Sequence, residues 1–221
     1  MSKRSVFYKN LMEVYKICNK KDSLRQATAY YWDDNPSISV EQGHFTYFIH
    51  KISPAGHWMM IVRQACVDKN IPVIRASQAY TLAAISMFDG FIACWDEKYA
   101  VNLVRPVTVI KRSIDEKWEP LIQTPPFPEF TSGHAVISNA AATVLTHLFG
   151  DNYSFTDNTE VPFGIPARTF PSFLEASEES AWSRVYGGIH YPETARISIQ
   201  QGIAIGRYVI KYCLSSEINS K

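Results

Sequence analysis

The sequence lacks an apolar run of the roughly 18 residues that a membrane-spanning helix needs. The nearest candidate, residues 81–95, is interrupted by Asp89 and Gly90. The first 21 residues are basic but contain no continuous apolar segment of the kind found in secretory signal peptides. We therefore expect a soluble chain with neither a membrane span nor a signal peptide of its own. A periplasmic or exported location is compatible with a longer parent chain.

Cysteine and net charge are also scarce. The four cysteines, Cys18, Cys66, Cys94 and Cys213, form no C-x-x-C pair, which argues against zinc, and a disulfide framework is typical of smaller chains. We interpret most of them as small buried apolar residues. The 22 Lys and Arg residues nearly balance the 21 Asp and Glu residues, so no net field attracts nucleic acid or an anionic membrane. No G-x-S-x-G elbow is present, which argues against a serine hydrolase.

Strand-like alternation and internal repeats are absent too. Apolar residues instead recur at helical spacing, which predicts helices over residues 5–19, 56–68, 72–101, 172–187 and 193–213. A further helix carries the apolar stripe of Val136, Ala140, Val144 and Leu148 and ends at Gly150. Residues 30–54, 113–131 and 151–171 are predicted loops. The predicted fold class is all-α, a single helical bundle with long connecting loops.

Three short segments carry residues suited to binding an oxyanion. The first contains Lys98 and Arg105 in a K-x6-R-P pattern. On one helix these cations would lie on nearly the same face, about 10 Å apart along the axis, and could approach one anion. Pro106 disfavours helical geometry at Arg105, so we expect the helix to end there. The same spacing is also typical of a solvated helix face.

The second segment is Ser132-Gly133-His134, at the start of a predicted helix. A helix N-terminus presents free backbone N–H groups and the positive end of the helix dipole, which together favour anions. Ser132 adds a hydroxyl donor, and Gly133 permits close approach of the backbone. Ordinary N-capping by Thr131 or Ser132 is the alternative interpretation.

The third segment places Arg184 six residues before His190, with Gly187-Gly188 between them. In a straight helix these two side chains would not share a face. The glycine pair allows the chain to bend, so that both side chains can meet one ligand.

Together the segments offer cations, amide and hydroxyl donors and two imidazoles, a set that matches a phosphate-like anion. The order K-x6-R-P, S-G-H, S-R-x5-H resembles the signature of the type 2 phosphatidic acid phosphatase (PAP2) and vanadium-dependent haloperoxidase superfamily. Trp95 and the run Pro125-Pro126-Phe127-Pro128 make the chain similar to its soluble, haloperoxidase-like bacterial branch. The motifs span residues 95–192, and the resemblance extends from about Trp32 to Tyr208.

The resemblance implies a helical bundle of the PAP2/vanadium haloperoxidase type and a role for each motif residue. The residues that would hold the equatorial oxygens of vanadate or phosphate are Lys98, Arg105, Ser132, Gly133 and Arg184. His190 would be the apical group, either the nucleophile of a phosphatase or the one protein ligand to vanadium in a haloperoxidase. His134 would be the acid/base on the opposite side. The implied cofactor is vanadate, with phosphate as the alternative occupant.

One position departs from the family pattern. PAP2 phosphatases usually carry Asp four residues after the second histidine, where it orients the ring, but here the residue is Thr194, with Glu193 beside it. We expect Thr194 or Glu193 to hydrogen-bond the distal ring nitrogen of His190, as a less basic partner than Asp would be. This substitution argues against efficient phosphohistidine chemistry.

The other polar and aromatic residues receive simpler interpretations. Three of the histidines outside the motifs are His44, His50 and His57. They are spaced too loosely for a metal site, and they lack partnering carboxylates in the sequence. The Asp33-Asp34 pair is typical of a turn. Trp95 and Phe127 either wall the pocket or simply pack. We expect Glu129 and Asp96 to balance the local positive charge.

Three functions stay open: vanadate-dependent oxidation of halide by hydrogen peroxide, which we favour, phosphomonoester hydrolysis through His190, and non-catalytic oxyanion binding. We interpret residues 1–221 as one catalytic domain that acts on small molecules. The 31 residues before Trp32 leave little room for the N-terminal helical half that family members often carry. A longer parent, with this chain as its C-terminal portion, therefore stays open, as does the oligomeric state.

Overall fold

The computed structural model describes residues 3–36, 38–49 and 51–214. Within them the helices are α1 (Val6–Asn19), α2 (Ser23–Tyr31), α3 (Pro54–Asp68), α4 (Val73–Val101), α5 (Pro106–Ser113), α6 (Gly133–Phe149), α7 (Phe173–Tyr186) and α8 (Pro192–Leu214). The strands form two antiparallel pairs, β1 (Ile38–Gln42) with β2 (Phe45–Ile49) and β3 (Phe155–Asp157) with β4 (Arg168–Phe170). The prediction of an all-α fold is therefore confirmed, with two short hairpins added.

Helix α6 lies at the centre of the bundle and packs against α4, α7 and α8. It is apolar on nearly all sides, and its residues from Ala135 to Ala142 are all buried. Helix α8 approaches it closely because Gly202 and Gly206 leave room for the α6 backbone. This packing fixes the N-terminus of α6, where the Ser132-Gly133-His134 segment lies.

A side chain at Gly202 should destabilise the fold. A Cβ atom there would lie 2.3 Å from the Val136 carbonyl oxygen and 2.8 Å from the Asn139 Cβ, so the two helices would have to separate. We expect Gly202→Ala to lower the free energy of unfolding by about 1–3 kcal/mol, as overpacking does. Urea unfolding measures this loss. The matched control is Ala204→Ser, at an exposed position of the same helix, and an equal loss in both variants would contradict the packing argument.

Two of the predicted loops are only partly loops. Residues 30–54 contain the β1–β2 hairpin, whose register pairs Gln42 with Phe45. Its two-residue turn uses Gly43 at φ 61°, which glycine adopts without steric cost. Residues 151–171 contain β3, a 3-10 turn at Val161–Phe163 and β4. These strands have three to five residues each, too short for an alternating pattern to be distinct.

The long helices begin and end close to their predicted bounds. All four cysteines are free. Cys66 and Cys94 are buried, as predicted for most of them, whereas Cys18 is half-buried and Cys213 is exposed. No helix in the described part of the chain has the length and apolar character to cross a bilayer.

Candidate functional site

Lys98 and Arg105 reach the site from two different helices. Helix α4 ends at Val101, where Asn102 adopts a left-handed conformation at φ 52°. Arg105 is extended and forms the N-cap of α5, with Pro106 as the first helical residue. The idea that both cations share one helix face is therefore wrong, and the break at residues 102–105 brings them together instead.

Ser132 is the N-cap residue of α6, but its side chain makes no capping hydrogen bond. Its backbone N–H donates to the Ser198 hydroxyl at 2.9 Å, while its own Oγ is buried without a partner. The Thr131 hydroxyl is also unpartnered. Ordinary N-capping by either residue is thus absent, and the N–H groups of the first turn of α6 stay available.

The turn between α7 and α8 joins Arg184 to His190. Gly188 adopts φ 81°, and a Cβ atom there would meet Cys18 Sγ at 3.0 Å and Trp118 at 3.1 Å. Arg184 lies in the last turn of α7, and His190 lies two residues before α8. The glycine pair therefore provides the bend that the sequence indicated.

His190 is 4% exposed and bonded through both ring nitrogens. Its Nδ1 lies 2.8 Å from Glu129 Oε1, and its Nε2 lies 3.0 Å from Arg105 Nη1. Because Arg105 can only donate, Nε2 accepts and Nδ1 carries the proton. Burial, and then the Arg105 charge, hold the pKa of His190 well below its usual value, so the ring is neutral. Nε2 is therefore the unprotonated nitrogen of the ring, and its lone pair accepts the Arg105 N–H.

Glu129 takes the orienting position that the sequence assigned to residues 193 and 194. Its carboxyl accepts hydrogen bonds from His190 Nδ1, from the Tyr191 backbone N–H at 2.9 Å and from the Thr194 hydroxyl at 2.8 Å. Burial raises the pKa of Glu129 to about 7, against these donors. Thr194 thus acts on Glu129 rather than on the ring, and the predicted contact between Glu193 and His190 is wrong because Glu193 faces solvent and pairs with Arg196.

The Lys98 ammonium is fully buried beneath the site and is held by the backbone. It donates to the carbonyls of Pro128, Glu129 and Thr131, and burial lowers its pKa to about 8. Arg105 donates to the carbonyls of Phe127 at 3.0 Å and Ile189 at 2.9 Å. The two cations therefore fix residues 127–131 and 189–190 against each other.

Arg184 and His134 lie against the Asp33 segment. Arg184 Nη1 donates to the carbonyls of Trp32 at 2.6 Å and Asp33 at 3.3 Å, while its Nε is buried without a partner. The His134 ring bonds the Asp33 backbone, and its Nε2 is buried without a partner. Burial, and then the Arg184 charge, hold the pKa of His134 well below its usual value.

A cavity of about 580 Å³ opens over these groups. Gly133, His134, Arg184 and His190 line the cavity, whereas Lys98, Arg105 and Ser132 are not among its lining residues. Trp95 and Phe127 form an aromatic wall, with ring centroids 5.0 Å apart, so lining the pocket is the interpretation that the structure supports for both. Lys98 Nζ lies 5.1 Å from the Phe127 ring centroid, which adds a cation–π contact.

The donor set fits a tetrahedral oxyanion such as vanadate. The buried polar atoms that lack hydrogen-bond partners include Ser132 Oγ, Arg184 Nε and His134 Nε2. Buried polar groups are normally paired, so an unpartnered set from neighbouring segments indicates a missing ligand. A neutral imidazole with an unprotonated Nε2, which here accepts from Arg105, lies beside guanidinium and N–H donors and suits an anion that accepts several hydrogen bonds and one nitrogen ligand.

His134 should make stability depend on pH. The pKa of His134 is lower in the folded chain than in the unfolded chain, where it is near 6.5. The histidine therefore contributes to the free energy of unfolding above pH 6.5, and this contribution is lost as the pH falls below that value. Between pH 7.5 and 5.5 we expect the wild type to lose about 1.4 kcal/mol more unfolding free energy than His134→Ala does. Urea unfolding at the two pH values measures this difference. The control His44→Ala, at an exposed position, should lose as much unfolding free energy between the two pH values as the wild type does. An equal loss in wild type and His134→Ala would contradict the role given to His134.

The histidines outside the motifs differ from their predicted roles. His57 is fully buried, and Asp34 Oδ1 lies 2.9 Å from its Nδ1 while Asp157 Oδ2 lies 2.6 Å from its Nε2. The statement that it lacks carboxylate partners is therefore wrong. Burial lowers the pKa of His57, but the two carboxylates outweigh this and raise it to about 10. His44 lies exposed at the β1–β2 turn, and His50 lies outside the described residues.

Asp33 and Asp34 do more than form a turn, because both are buried. Asp34 has φ 42°, and its side chain bonds His57, while Asp33 faces Arg184. No spacing could reveal the Asp34–His57 and Glu129–His190 pairs, since their members lie 23 and 61 residues apart. The one local signal was the position of Glu129 just before the Thr-Ser-Gly-His run.

Comparison with known proteins agrees with this geometry. The model of the VCPO second helical-bundle domain matches residues 78–216, which include all three motif segments. A search of curated proteins gave no significant match. Among solved structures, a bacterial vanadium-dependent iodoperoxidase, described as the first, superposes with a TM-score of 0.89 and 46% identity, over 96% of this chain and 50% of its own.

More distant structures share the fold. The holo and apo forms of a bacterial vanadium-dependent chloroperoxidase each superpose with a TM-score of 0.72 at 19% identity, over 93% of this chain. They align over 47% and 48% of their own length, so this chain spans about half of the structures it matches. The matched domain covers more than half of the present sequence. The chain therefore belongs to the family of the VCPO second helical-bundle domain, within the PAP2/vanadium haloperoxidase superfamily.

Proposed function

We propose that this chain is the vanadate-holding catalytic domain of a haloperoxidase that oxidises halide with hydrogen peroxide. The observation that carries the proposal is the hydrogen bonding of His190, which places the ring proton on Nδ1 against Glu129 and leaves Nε2 as the acceptor of an Arg105 N–H. This lone pair would be taken by vanadate in place of the Arg105 N–H. A neutral imidazole held in this way is the form in which histidine acts as a metal ligand.

The other site residues are proposed to bind the oxygens of the anion. Arg184 Nε and Ser132 Oγ are unpartnered donors, and Gly133 offers its N–H at the start of α6. Lys98 and Arg105 supply buried positive charge, so the charge of the anion is compensated without water. Bound vanadate would supply a Lewis-acidic centre that activates hydrogen peroxide.

His134 is proposed as the acid/base of the reaction. Its ring is held by the Asp33 backbone, and Nε2 is unpartnered beside the cavity. Because its pKa is depressed, the ring is neutral at neutral pH and can accept a proton from peroxide. Trp95 and Phe127 are proposed to exclude water from this atom.

Iodide is the halide we propose first, because the 46% identical structure is described as an iodoperoxidase. A largely apolar wall of Phe91, Trp95, Phe127 and Ile137 suits a large, weakly hydrated anion better than a small one.

The test is iodide oxidation by the 221-residue chain, stripped of vanadate and then titrated with orthovanadate in the presence of hydrogen peroxide. We expect turnover that requires vanadate and saturates with it. Inorganic phosphate should compete, because it presents the same oxygens to the same donors. Absence of vanadate-dependent turnover from a folded chain that binds vanadate would contradict the proposal.

Phosphomonoester hydrolysis is the second candidate, and one observation now favours it. The carboxylate that the phosphatase pattern places at residue 194 is supplied here by Glu129, so His190 is oriented for attack on phosphorus as well. Turnover of p-nitrophenyl phosphate, inhibited by vanadate and lost in His190→Ala, would support this alternative. A chain that binds phosphate but is inert in both assays would be a non-catalytic oxyanion-binding domain.

The chain is proposed to act as a single catalytic domain. Residues 95–192 contain every residue assigned above apart from Asp33 and Phe91. The matched structures are about twice as long, so a parent with further helices is compatible with this assignment.

A further inference from the structure

A buried cluster around His57 has no part in the proposed function. Three carboxylates, Asp34, Asp157 and Glu160, surround its ring, and none of the four side chains is more than 2% exposed. Even with His57 protonated, the carboxylates outnumber the positive charge among these four. Protein interiors hold such groups only where a partner compensates them.

Glu160 is the member of the cluster without a hydrogen-bond partner. Both of its carboxyl oxygens are buried and accept no hydrogen bond, and Oε1 points at His57 Nδ1 from 3.9 Å. Burial, and then the Asp34 charge, raise the pKa of Glu160 to about 7, and the charges of His57 and Lys51 oppose this only in part. An unpartnered buried carboxylate directed into an acidic cluster indicates a missing cation.

The available ligand atoms have the separation that a metal needs. One oxygen each of Asp34 and Glu160 and Nδ1 of His57 all lie within 4.8 Å of one another. Zinc binds nitrogen and oxygen at about 2.0–2.2 Å, so its tetrahedral ligands lie roughly 3.3–3.6 Å apart. Small side-chain movements would therefore close the three around one ion.

We propose that Asp34, His57 and Glu160 bind a divalent cation of the zinc type, with the fourth position taken by water. One imidazole nitrogen beside two carboxylates favours zinc over calcium and magnesium, which prefer oxygen ligands alone. Asp157 on the opposite ring nitrogen, itself bonded by the Tyr31 hydroxyl at 2.7 Å, forms the outer hydrogen bonds that orient a ligating histidine. Without the ion, the proton between His57 and Asp34 takes its place.

The cation would brace the oxyanion site from behind. Asp34 follows directly on Trp32 and Asp33, whose carbonyls hold Arg184. The Trp32 ring also stacks on His57, with centroids 4.7 Å apart. This inference is independent of whether the cavity serves halide oxidation.

Isothermal titration of the chelator-treated 221-residue chain with Zn²⁺ alone tests the site. We expect one equivalent to bind, more than about a hundredfold weaker in Glu160→Gln and about 10–100-fold weaker in Asp157→Asn. Glu175→Gln, at an exposed carboxylate of α7, should bind like the wild type. His190→Ala should also bind normally, because His190 belongs to the oxyanion site.

A measurement on the wild type alone covers the case of a variant that fails to fold. In crystals soaked with Zn²⁺, an anomalous peak between Asp34, His57 and Glu160 is expected. No binding, binding unchanged in Glu160→Gln, displacement by millimolar calcium, or a peak at His190 instead would each overturn the proposal.

Discussion

Replacing His190 with alanine is expected to remove vanadate binding and lower vanadate-dependent iodide oxidation at least about a thousandfold. Removing a single oxyanion donor from an enzyme costs about 10²–10³ in rate, and His190 is proposed as the one protein ligand to the metal. The His190 ring is neutral, and Nε2 is its unprotonated nitrogen. Other donors around the cavity cannot replace a bond from nitrogen.

Two measurements separate this loss from unfolding. Vanadate titration reports the affinity, and far-ultraviolet circular dichroism reports the helices, which should be unchanged because α7 and α8 do not depend on this ring. His44→Ala, an exposed histidine at the β1–β2 turn, should keep full activity. Wild-type vanadate affinity in a folded His190→Ala chain would refute the assignment of His190.

Glu129 is expected to be the most sensitive position outside the cavity lining. Glu129→Ala leaves three buried donors without an acceptor, those of His190, Tyr191 and Thr194. Each orphaned donor costs about 1–3 kcal/mol, so we expect a loss of about 3 kcal/mol or more in the free energy of unfolding. Urea unfolding measures this loss, and Glu119→Ala, at an exposed carboxylate paired with Lys111, is the control with little effect.

Glu129→Gln distinguishes the effect of Glu129 on the His190 ring from its effect on the stability of the fold. The amide oxygen can still accept from His190 and Tyr191, so the fold should persist, but the negative charge that makes His190 a better ligand is lost. We expect vanadate affinity to fall about 10–100-fold, as it does when partners of metal ligands are removed. Under saturating vanadate the rate should recover in part. A folded Glu129→Gln chain with unchanged affinity would show that Glu129 only packs beneath the ring.

Six of the eight helices in the described residues could be predicted from the sequence because they depend on local signals, whereas α2 and α5 were not predicted. The apolar stripe through Val136 and Ala140 defines α6, and Gly150 ends it. The bend at Gly187-Gly188 follows from glycine's backbone freedom. Each of the three motif segments contains its donor residues within ten positions or fewer. The prediction of an oxyanion site therefore did not require knowledge of the fold.

The partners of the histidines could not be predicted, because they depend on chain crossings. Glu129 reaches His190 because Lys98 and Arg105 donate hydrogen bonds to backbone carbonyls. These bonds hold residues 127–131 against the turn between α7 and α8. His57 meets Asp157 through the β3–β4 hairpin, whose strands were too short to be recognised. Position in the family pattern indicates Thr194 or Glu193 as the orienting residue, but the contact with His190 Nδ1 is made by Glu129.

A crystal structure of this chain with orthovanadate tests the central claim most directly. The account predicts electron density for the anion joined to His190 Nε2, with Arg184 Nε and Ser132 Oγ on its oxygens and Glu129 still bonded to Nδ1. Vanadate bound elsewhere, or His190 Nε2 still bonded to Arg105 with the anion in place, would contradict it.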